Sequence, residues 1–137
     1  MKTLQQIFDE GLNHIRTQGR ASHDEDGACM YRAPNGDKCI VGGLIPDNAY
    51  DPVFDEQGDG TTVWMHLRPE SLTRNRFEAA LKAAGIEGNA ALDLLCDMQR
   101  AHDSFSGSGD FLTRFEARMQ ALAELRGLIY NPPGAPA

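Results

Sequence analysis

A short run between residues 27 and 52, GACMYRAPNGDKCIVGGLIPDNAYDP, breaks the helical pattern that fills most of this 137-residue chain. Its first half predicts a β-hairpin, because two short apolar segments, GACMYR and KCIV, flank a turn sequence at residues 34–37. A two-stranded hairpin is only marginally stable in water, so it has to pack against helices. A two- or four-residue loop would place Arg32 opposite Cys39, whereas a three-residue loop with a bulge would bring Cys29 and Cys39 to one face.

Apolar residues recur at helical spacing in four other segments. These patterns predict helices over residues 4–18, 71–84, 89–102 and 111–126. The stretch between residues 46 and 61 has no periodicity and predicts an exposed acidic loop. We therefore expect a mainly α single domain over residues 1–130, with about four helices and one small β-hairpin inserted after the first helix. The tail over residues 131–137 is expected to be disordered.

The charge balance limits the classes of partner. Thirteen basic residues stand against 20 acidic ones, which gives a net charge of −7. Such a chain repels phosphate backbones, so we expect no non-specific nucleic-acid binding. The N-terminus lacks the apolar region of a secretory signal, and no stretch is apolar for long enough to span a membrane, so no membrane partner and a cytoplasmic location are expected. The three cysteines are then expected to be reduced thiols.

The cysteines and histidines are the candidates for metal or nucleophilic chemistry. Cys29 and Cys39 are ten residues apart and lack a close C-x2-C partner, so we expect no metal and no cofactor. Cys39 precedes a VGGLI turn whose unpaired amides could lower the pKa of its thiol, with His66 or His102 as base, which leaves a Cys39-dependent hydrolase as an alternative. His102-Asp103 could ligate a metal, but a histidine in the last turn of a helix is better explained by the helix dipole.

A group of arginines in an acidic chain indicates a binding site. The run HLRPESLTRNR brings three arginines close to a predicted helix start, where backbone amides favour anions. The alternative is that these arginines pair with the carboxylates of residues 51–59. Neighbouring aromatic side chains could stack on a ring. We predict no catalytic residue and a pocket for a small anionic, nucleotide-like ligand formed by Tyr31, Arg32, Lys38, Asp47, Tyr50, Trp64, His66, Arg68, Arg74, Arg76 and His102.

Two blocks of the sequence resemble a protein family. The first is C-x-Y-R-x-P-x-G-x-K-C-x-V-G-x-L-I-P-D-x-x-Y-D-P, here Cys29 to Pro52, and the second is LLCDMQRAHD, residues 94–103, which ends in Gln-x-x-His-Asp. Both are similar to blocks of small accessory proteins of tailed bacteriophages and prophages. With the N-terminal helix, the resemblance covers most of the chain. The family has no established activity, so the resemblance implies no catalytic residues.

The resemblance favours binding over catalysis, because phage accessory proteins of this size include sponges for nucleotide immune signals. We therefore expect a homo-oligomeric protein of the host-cell cytoplasm that sequesters a small anionic ligand. A second hypothesis is an inhibitor whose acidic surface over residues 47–59 binds a basic host protein. The third is the Cys39-dependent hydrolase.

Overall fold

The computed structural model describes residues 1–56 and 63–134. Within these ranges the chain is mainly helical, which confirms the predicted class. A 3-10 turn lies at Pro52–Asp55, and the α-helices are α1 (Leu4–Gln18), α2 (Ile40–Leu44), α3 (Val63–His66), α4 (Arg74–Ala83), α5 (Asn89–Phe105) and α6 (Phe111–Arg126). None of the helices in the described ranges is long and apolar enough to cross a membrane.

The ends of α1 and α6 follow from local sequence. The Thr3 hydroxyl accepts a hydrogen bond from the Gln6 amide at 3.1 Å, and the Gln6 side chain accepts one from the Thr3 amide at 2.8 Å. This capping box satisfies amides that have no partner inside the helix. α1 ends at Gly19 with φ 81°, and α6 ends at Gly127 with φ 67°. Both φ angles are left-handed, a conformation that glycine adopts without steric cost.

The ends of α4 and α5 differ from the prediction. α4 begins at Arg74 rather than at residue 71, because the preceding residues form a hydrogen-bonded turn instead. The N-cap of α5 is Gly88 rather than Asn89, and it makes no side-chain capping hydrogen bond. α5 also continues to Phe105, about one turn beyond its predicted end.

The predicted β-hairpin is not formed. In the described residues, two isolated antiparallel bridges take its place, one between His23 and Cys29 and one between Arg32 and Lys38. The second predicted strand, KCIV, is wrong because α2 begins at Ile40. The apolar run was short enough to suit either a strand or a buried helical turn, and periodicity cannot separate the two.

The connection between the bridged residues determines where the two cysteines lie. Within it, the Ala33 amide donates to the Asp37 carbonyl oxygen at 2.8 Å, which leaves a three-residue loop at residues 34–36, one of the predicted lengths. The Cys39 amide donates to the Tyr31 carbonyl oxygen at 3.0 Å, which places Tyr31 opposite Cys39. Cys39 is buried in the core, whereas the half-buried Cys29 lies with its Sγ 3.1 Å from the Ser106 hydroxyl.

The predicted exposed loop between residues 46 and 61 is partly folded. The Asp51 carboxylate accepts a hydrogen bond from the Val53 amide at 3.0 Å and caps the 3-10 turn. Phe54, inside that turn, is fully buried. One aromatic anchor thus holds a segment that has no periodic pattern. The remaining part of this prediction, residues 57–61, lies outside the described residues.

α5 is the central helix of the fold. It packs against α1, α2, α3 and α6, and α1 also packs against α2. Burial of their apolar faces is the main stabilising contribution in a helical domain of this kind. The short helix α2 is held between α1 and α5, and the largest fully buried side chains around these helices include Phe8, Ile15, Tyr31, Ile40, Leu94 and Phe115.

The segment that follows α6 is held against α1. The Gln5 side-chain amide donates to the Ile129 carbonyl oxygen at 2.9 Å, and the Ile129 amide donates to Gln5 Oε1 at 2.9 Å. We refer to this pair of bonds as the Gln5–Ile129 clasp. Arg16 Nη2 also donates to the Asn131 carbonyl oxygen at 2.7 Å. Asn131 is the first residue of the predicted disordered tail, and residues 135–137 lie outside the described residues.

Candidate functional site

The residues predicted to form one pocket are distributed over several parts of the fold. Three are buried in the core: Tyr31, His66 and His102. Others make polar contacts around α2 and the 3-10 turn: Arg32, Lys38, Asp47, Tyr50 and Arg76. Arg68 is exposed on the surface. Only two of the set line a shared groove, which is described below: Trp64 and Arg74.

Tyr31 and His66 belong to a buried aromatic cluster. The ring centroid of Tyr31 lies 5.6 Å from that of His66 and 5.9 Å from that of Phe77. Phe54 completes the cluster, with its centroid 5.8 Å from that of His66. Burial raises the pKa of the Tyr31 hydroxyl well above its ordinary value, because the phenolate would lose its hydration. The structure therefore places Tyr31 and His66, two of the predicted site residues, inside the core.

One half-buried histidine, His14, and one buried histidine, His66, make stability depend on pH. Burial lowers the pKa of His14 and His66 below the ordinary value of 6.5, so on acidification the unfolded chain takes up protons before the folded chain does. Their contribution to stability is full above about pH 6.5 and is lost as the pH falls below it. We expect a lower urea midpoint at about pH 5 than at about pH 7.5, a range in which most carboxylates stay ionised.

The matched variants for this pH test are His14→Gln and His23→Gln. The first should reduce the difference between the two midpoints, because it removes a half-buried imidazole whose Nε2 donates to the Lys38 carbonyl oxygen at 2.8 Å. His23 is exposed, so its replacement should leave the difference unchanged. Equal urea midpoints for the wild-type protein at both pH values would contradict the prediction.

Arg32 is committed to internal contacts around α2. Its Nε donates to the Gly42 carbonyl oxygen at 3.2 Å and its Nη2 to the Ile45 carbonyl oxygen at 2.7 Å. Its Nη1 lies 2.8 Å from Asp47 Oδ1, and its guanidinium carbon lies 4.3 Å from the centroid of the Tyr50 ring. The side chain thus satisfies carbonyl groups at the end of α2 that have no helical partner. The structure therefore places this predicted site residue in contacts within the fold.

The carboxylates of the predicted acidic surface are also used within the fold. Asp55 accepts hydrogen bonds from the Tyr31 amide at 2.7 Å, from the Arg32 amide at 3.1 Å and from the Tyr50 hydroxyl. The pKa of Tyr50 is raised mainly by burial of its hydroxyl and secondly by its hydrogen bond to the Asp55 carboxylate. Asp47 pairs with Arg32, as described above, and Asp51 caps the 3-10 turn. Asp51 and Asp55 of the predicted acidic surface over residues 47–59 are thus used within the fold, whereas Asp47 is paired but 82% exposed and Glu56 is exposed. The last residues of this surface lie outside the described ranges.

The arginines of the HLRPESLTRNR run do not converge. Arg76 Nη1 lies 3.3 Å from Asp51 Oδ2, whereas Arg74 Nε lies 3.2 Å from Glu78 Oε1 one turn along α4. Neighbouring carboxylates direct these two guanidinium groups to different places, so the structure does not bring the whole predicted cluster together. Exposed ion pairs of this kind contribute little to stability. Because its ion pair with Glu78 is weak, Arg74 can exchange Glu78 for another anion.

The Gln-x-x-His-Asp block forms a hydrogen-bonded clamp. Gln99 Oε1 accepts from the Val41 amide at 3.1 Å, and Gln99 Nε2 donates to Asp103 Oδ1 at 2.9 Å. His102 Nδ1 donates to the same Asp103 oxygen at 2.8 Å, and His102 Nε2 accepts from the Ser22 amide at 2.9 Å. These bonds attach the loop before α2, and α2 itself, to α5. The two sequence blocks that carry the family resemblance are thus in direct contact.

The clamp also contains a group of side chains that resembles a metal site or a catalytic triad. Three side chains, those of Cys29, His102 and Asp103, each contribute one possible ligand atom, and these three atoms lie within 4.8 Å of one another. However, the Ser22 amide donates to Nε2 of His102, so the ring proton is on Nδ1 and points at Asp103. Neither nitrogen then offers a lone pair to a metal ion or to the Cys29 thiol. The arrangement attaches the loop before α2 to α5.

Cys39 is poorly placed for nucleophilic catalysis. It is fully buried, and its sulfur accepts a weak hydrogen bond from the Gly42 amide at 3.4 Å at the start of α2. Desolvation outweighs that bond and raises the pKa of the thiol far above its ordinary value. The hydrolase hypothesis gains no support from this placement.

A groove between α3, α4 and the start of α5 is a candidate site in the described residues. Its volume is about 440 Å³, and its apolar part includes Trp64, which is 40% exposed. Arg74 and Lys82 lie along one side on α4, and the uncapped N-terminus of α5 lies at one end. A groove of this size fits a small molecule. The apolar and charged residues that line it are Trp64, Leu67, Arg74, Glu78, Leu81, Lys82, Ile86, Glu87 and Leu92.

Sequence reasoning identified only Trp64 and Arg74 of this groove. Lys82 could have been found from its spacing, because positions 74, 78 and 82 recur at one helical turn and so share a face of α4. The absence of a side-chain cap at the start of α5 could not have been predicted, because Asn89 is itself a favourable capping residue. Which side of α4 remained uncovered depends on the packing of α3, and no local pattern specifies this packing.

Comparison of the chain with family models, with curated proteins and with solved structures finds no match.

Proposed function

We propose that this chain is a binding protein that captures a small anionic molecule with a flat ring in the groove between α3, α4 and α5. The observation that carries the proposal is the combination, in one groove of about 440 Å³, of a partly exposed indole with two cationic side chains, Arg74 and Lys82. Most of the other predicted site residues are engaged elsewhere in the fold. The proposal therefore keeps the kind of ligand predicted from sequence and changes its location.

Each part of the groove has a distinct role in this proposal. The ring of the ligand lies on Trp64 and on the aliphatic side chains at the floor, where it loses contact with water. Its anionic group binds Arg74 or Lys82 through charge-assisted hydrogen bonds, which are stronger than neutral ones. Backbone amides at the start of α5 add positive potential at that end of the groove.

The biological role that we propose follows from the family resemblance. A phage-type accessory protein with such a groove would sequester a nucleotide-like signal of the host immune system. Capture of a soluble signal requires no catalytic group, which agrees with the structural roles of His102 and Cys39 described above. Homo-oligomerisation and a location in the host cytoplasm stay predictions.

Isothermal titration calorimetry with a panel of ring-bearing anions tests this function. The panel contains cyclic mononucleotides, cyclic dinucleotides, nucleoside monophosphates and ADP-ribose. We expect at least one to bind, and Arg74→Ala to weaken that binding by at least about tenfold, because a charged hydrogen bond is lost. Trp64→Ala should weaken it as well.

Arg114→Ala is the matched control, because Arg114 also forms an exposed ion pair with a carboxylate one turn away, Asp110, at 3.0 Å. It lies on α6 and does not line the groove. Absence of heat with every compound in the panel would overturn the proposed function. Equal weakening by Arg74→Ala and Arg114→Ala would place the binding site elsewhere.

A further inference from the structure

Glu78 lies between the two cations of the groove. Arg74, Glu78 and Lys82 follow one another at one-turn intervals on α4, and all three line the groove. Glu78 Oε1 is 3.2 Å from Arg74 Nε, and each of these two side chains is 43% exposed. Because water still reaches both partners, the ion pair is weak and can be exchanged for another anion.

We infer that Glu78 is an internal competitor, whose carboxylate holds the anion position of the groove until a ligand displaces it. This inference rests on the proposed function and deepens it. The position next to Arg74 is shown to accept a singly charged oxyanion, since a carboxylate already occupies it. A ligand binds Arg74 only by replacing Glu78, so the binding affinity is reduced by the strength of that internal contact.

The charge balance of the groove then limits the class of ligand. Two cations, Arg74 and Lys82, are matched by two anions, Glu78 and Glu87, so the four side chains together carry no net charge. A ligand with one oxyanion group next to a ring suits this arrangement. A polyanion would bring further negative charge close to both glutamates, and like charges at short range are unfavourable. The groove therefore selects monoanions such as a cyclic mononucleotide over dinucleotides and diphosphates.

Fluorescence titration with anilinonaphthalene sulfonate, a monoanion with aromatic rings, tests the role of Glu78 without knowledge of the natural ligand. Glu78→Gln keeps the size of the side chain and removes its charge, so it should tighten probe binding by about threefold to tenfold. The matched control is Asp110→Asn, which removes the carboxylate of the Arg114 pair on α6 and should leave the affinity unchanged. Near-UV circular dichroism establishes that each variant keeps its native packing.

The outcomes separate this inference from the proposed function. If Arg74→Ala weakens probe binding but Glu78→Gln does not tighten it, the role of Glu78 is refuted and the groove stands. If Arg74→Ala has no effect, the probe does not bind Arg74, which overturns the role of Glu78 and leaves Lys82 as the cation to test for the proposed function. Equal tightening by Glu78→Gln and Asp110→Asn would mean that only the overall charge matters, and this would also refute the role of Glu78.

Discussion

Gly42→Ala should destabilise the protein by at least about 3 kcal/mol or prevent it from folding. A Cβ atom at this position would lie 1.8 Å from the carbonyl oxygen of Tyr31 and 2.5 Å from its carbonyl carbon. That carbonyl is fixed, because it accepts the Cys39 amide and belongs to a fully buried residue. Relief of the clash requires α2 to move away from the loop, which would also break the contacts of Arg32.

Chemical denaturation measures this effect, with Gly109→Ala as the control. Gly109 has no atom within 4 Å of the added methyl group, so the control should change the free energy of unfolding by no more than about 0.5 kcal/mol. If Gly42→Ala unfolded at the same denaturant concentration as the wild-type protein, the close approach of α2 to Tyr31 would be refuted.

His102→Ala should lower the free energy of unfolding by about 3 kcal/mol. The change leaves the Ser22 amide without its acceptor, takes a donor away from Asp103, and opens a cavity where a fully buried ring had been. A buried amide without a partner is costly because it has lost its hydrogen bonds to water. The loop before α2 would then detach from α5 more readily.

Two comparisons make the His102 test specific. His23→Ala, at an exposed histidine of the same loop, should have little effect on stability. Gln99→Ala should also destabilise, and its effect should not add to that of His102→Ala, because both side chains bind the same oxygen of Asp103. Full additivity, or a stable His102→Ala variant, would contradict the clamp as described.

Local signals in the sequence were sufficient for α1 and α6. The apolar spacing, the capping box at Thr3 and the glycines at positions 19 and 127 all act within a few residues of the helix ends that they determine. The region around α2 could not be predicted in this way. KCIV has an apolar pattern that suits a strand, and only contacts with α1, with α5 and with Arg32 select a helical turn.

The candidate site was harder to predict than the fold, because an arginine in a sequence does not reveal its partner. Arg32 and Arg76 have the same side chain, yet Arg32 binds the carbonyl groups at the end of α2 and Arg76 forms an ion pair with Asp51. Likewise, the Gln-x-x-His-Asp block has the residues of a metal or catalytic site. Its structural role became evident only from the distant Ser22 amide, which fixes the proton on the His102 ring.

The Gln5–Ile129 clasp brings the two extremities of the described fold side by side, so that the polypeptide forms a nearly closed ring. When the two ends of a fold lie close together, the chain can be opened at another point without changing how the helices pack. A short peptide joining the extremities, combined with new termini at the open Gly107–Gly109 connection, gives a circular permutant in which α5 and α6 become the last and first elements.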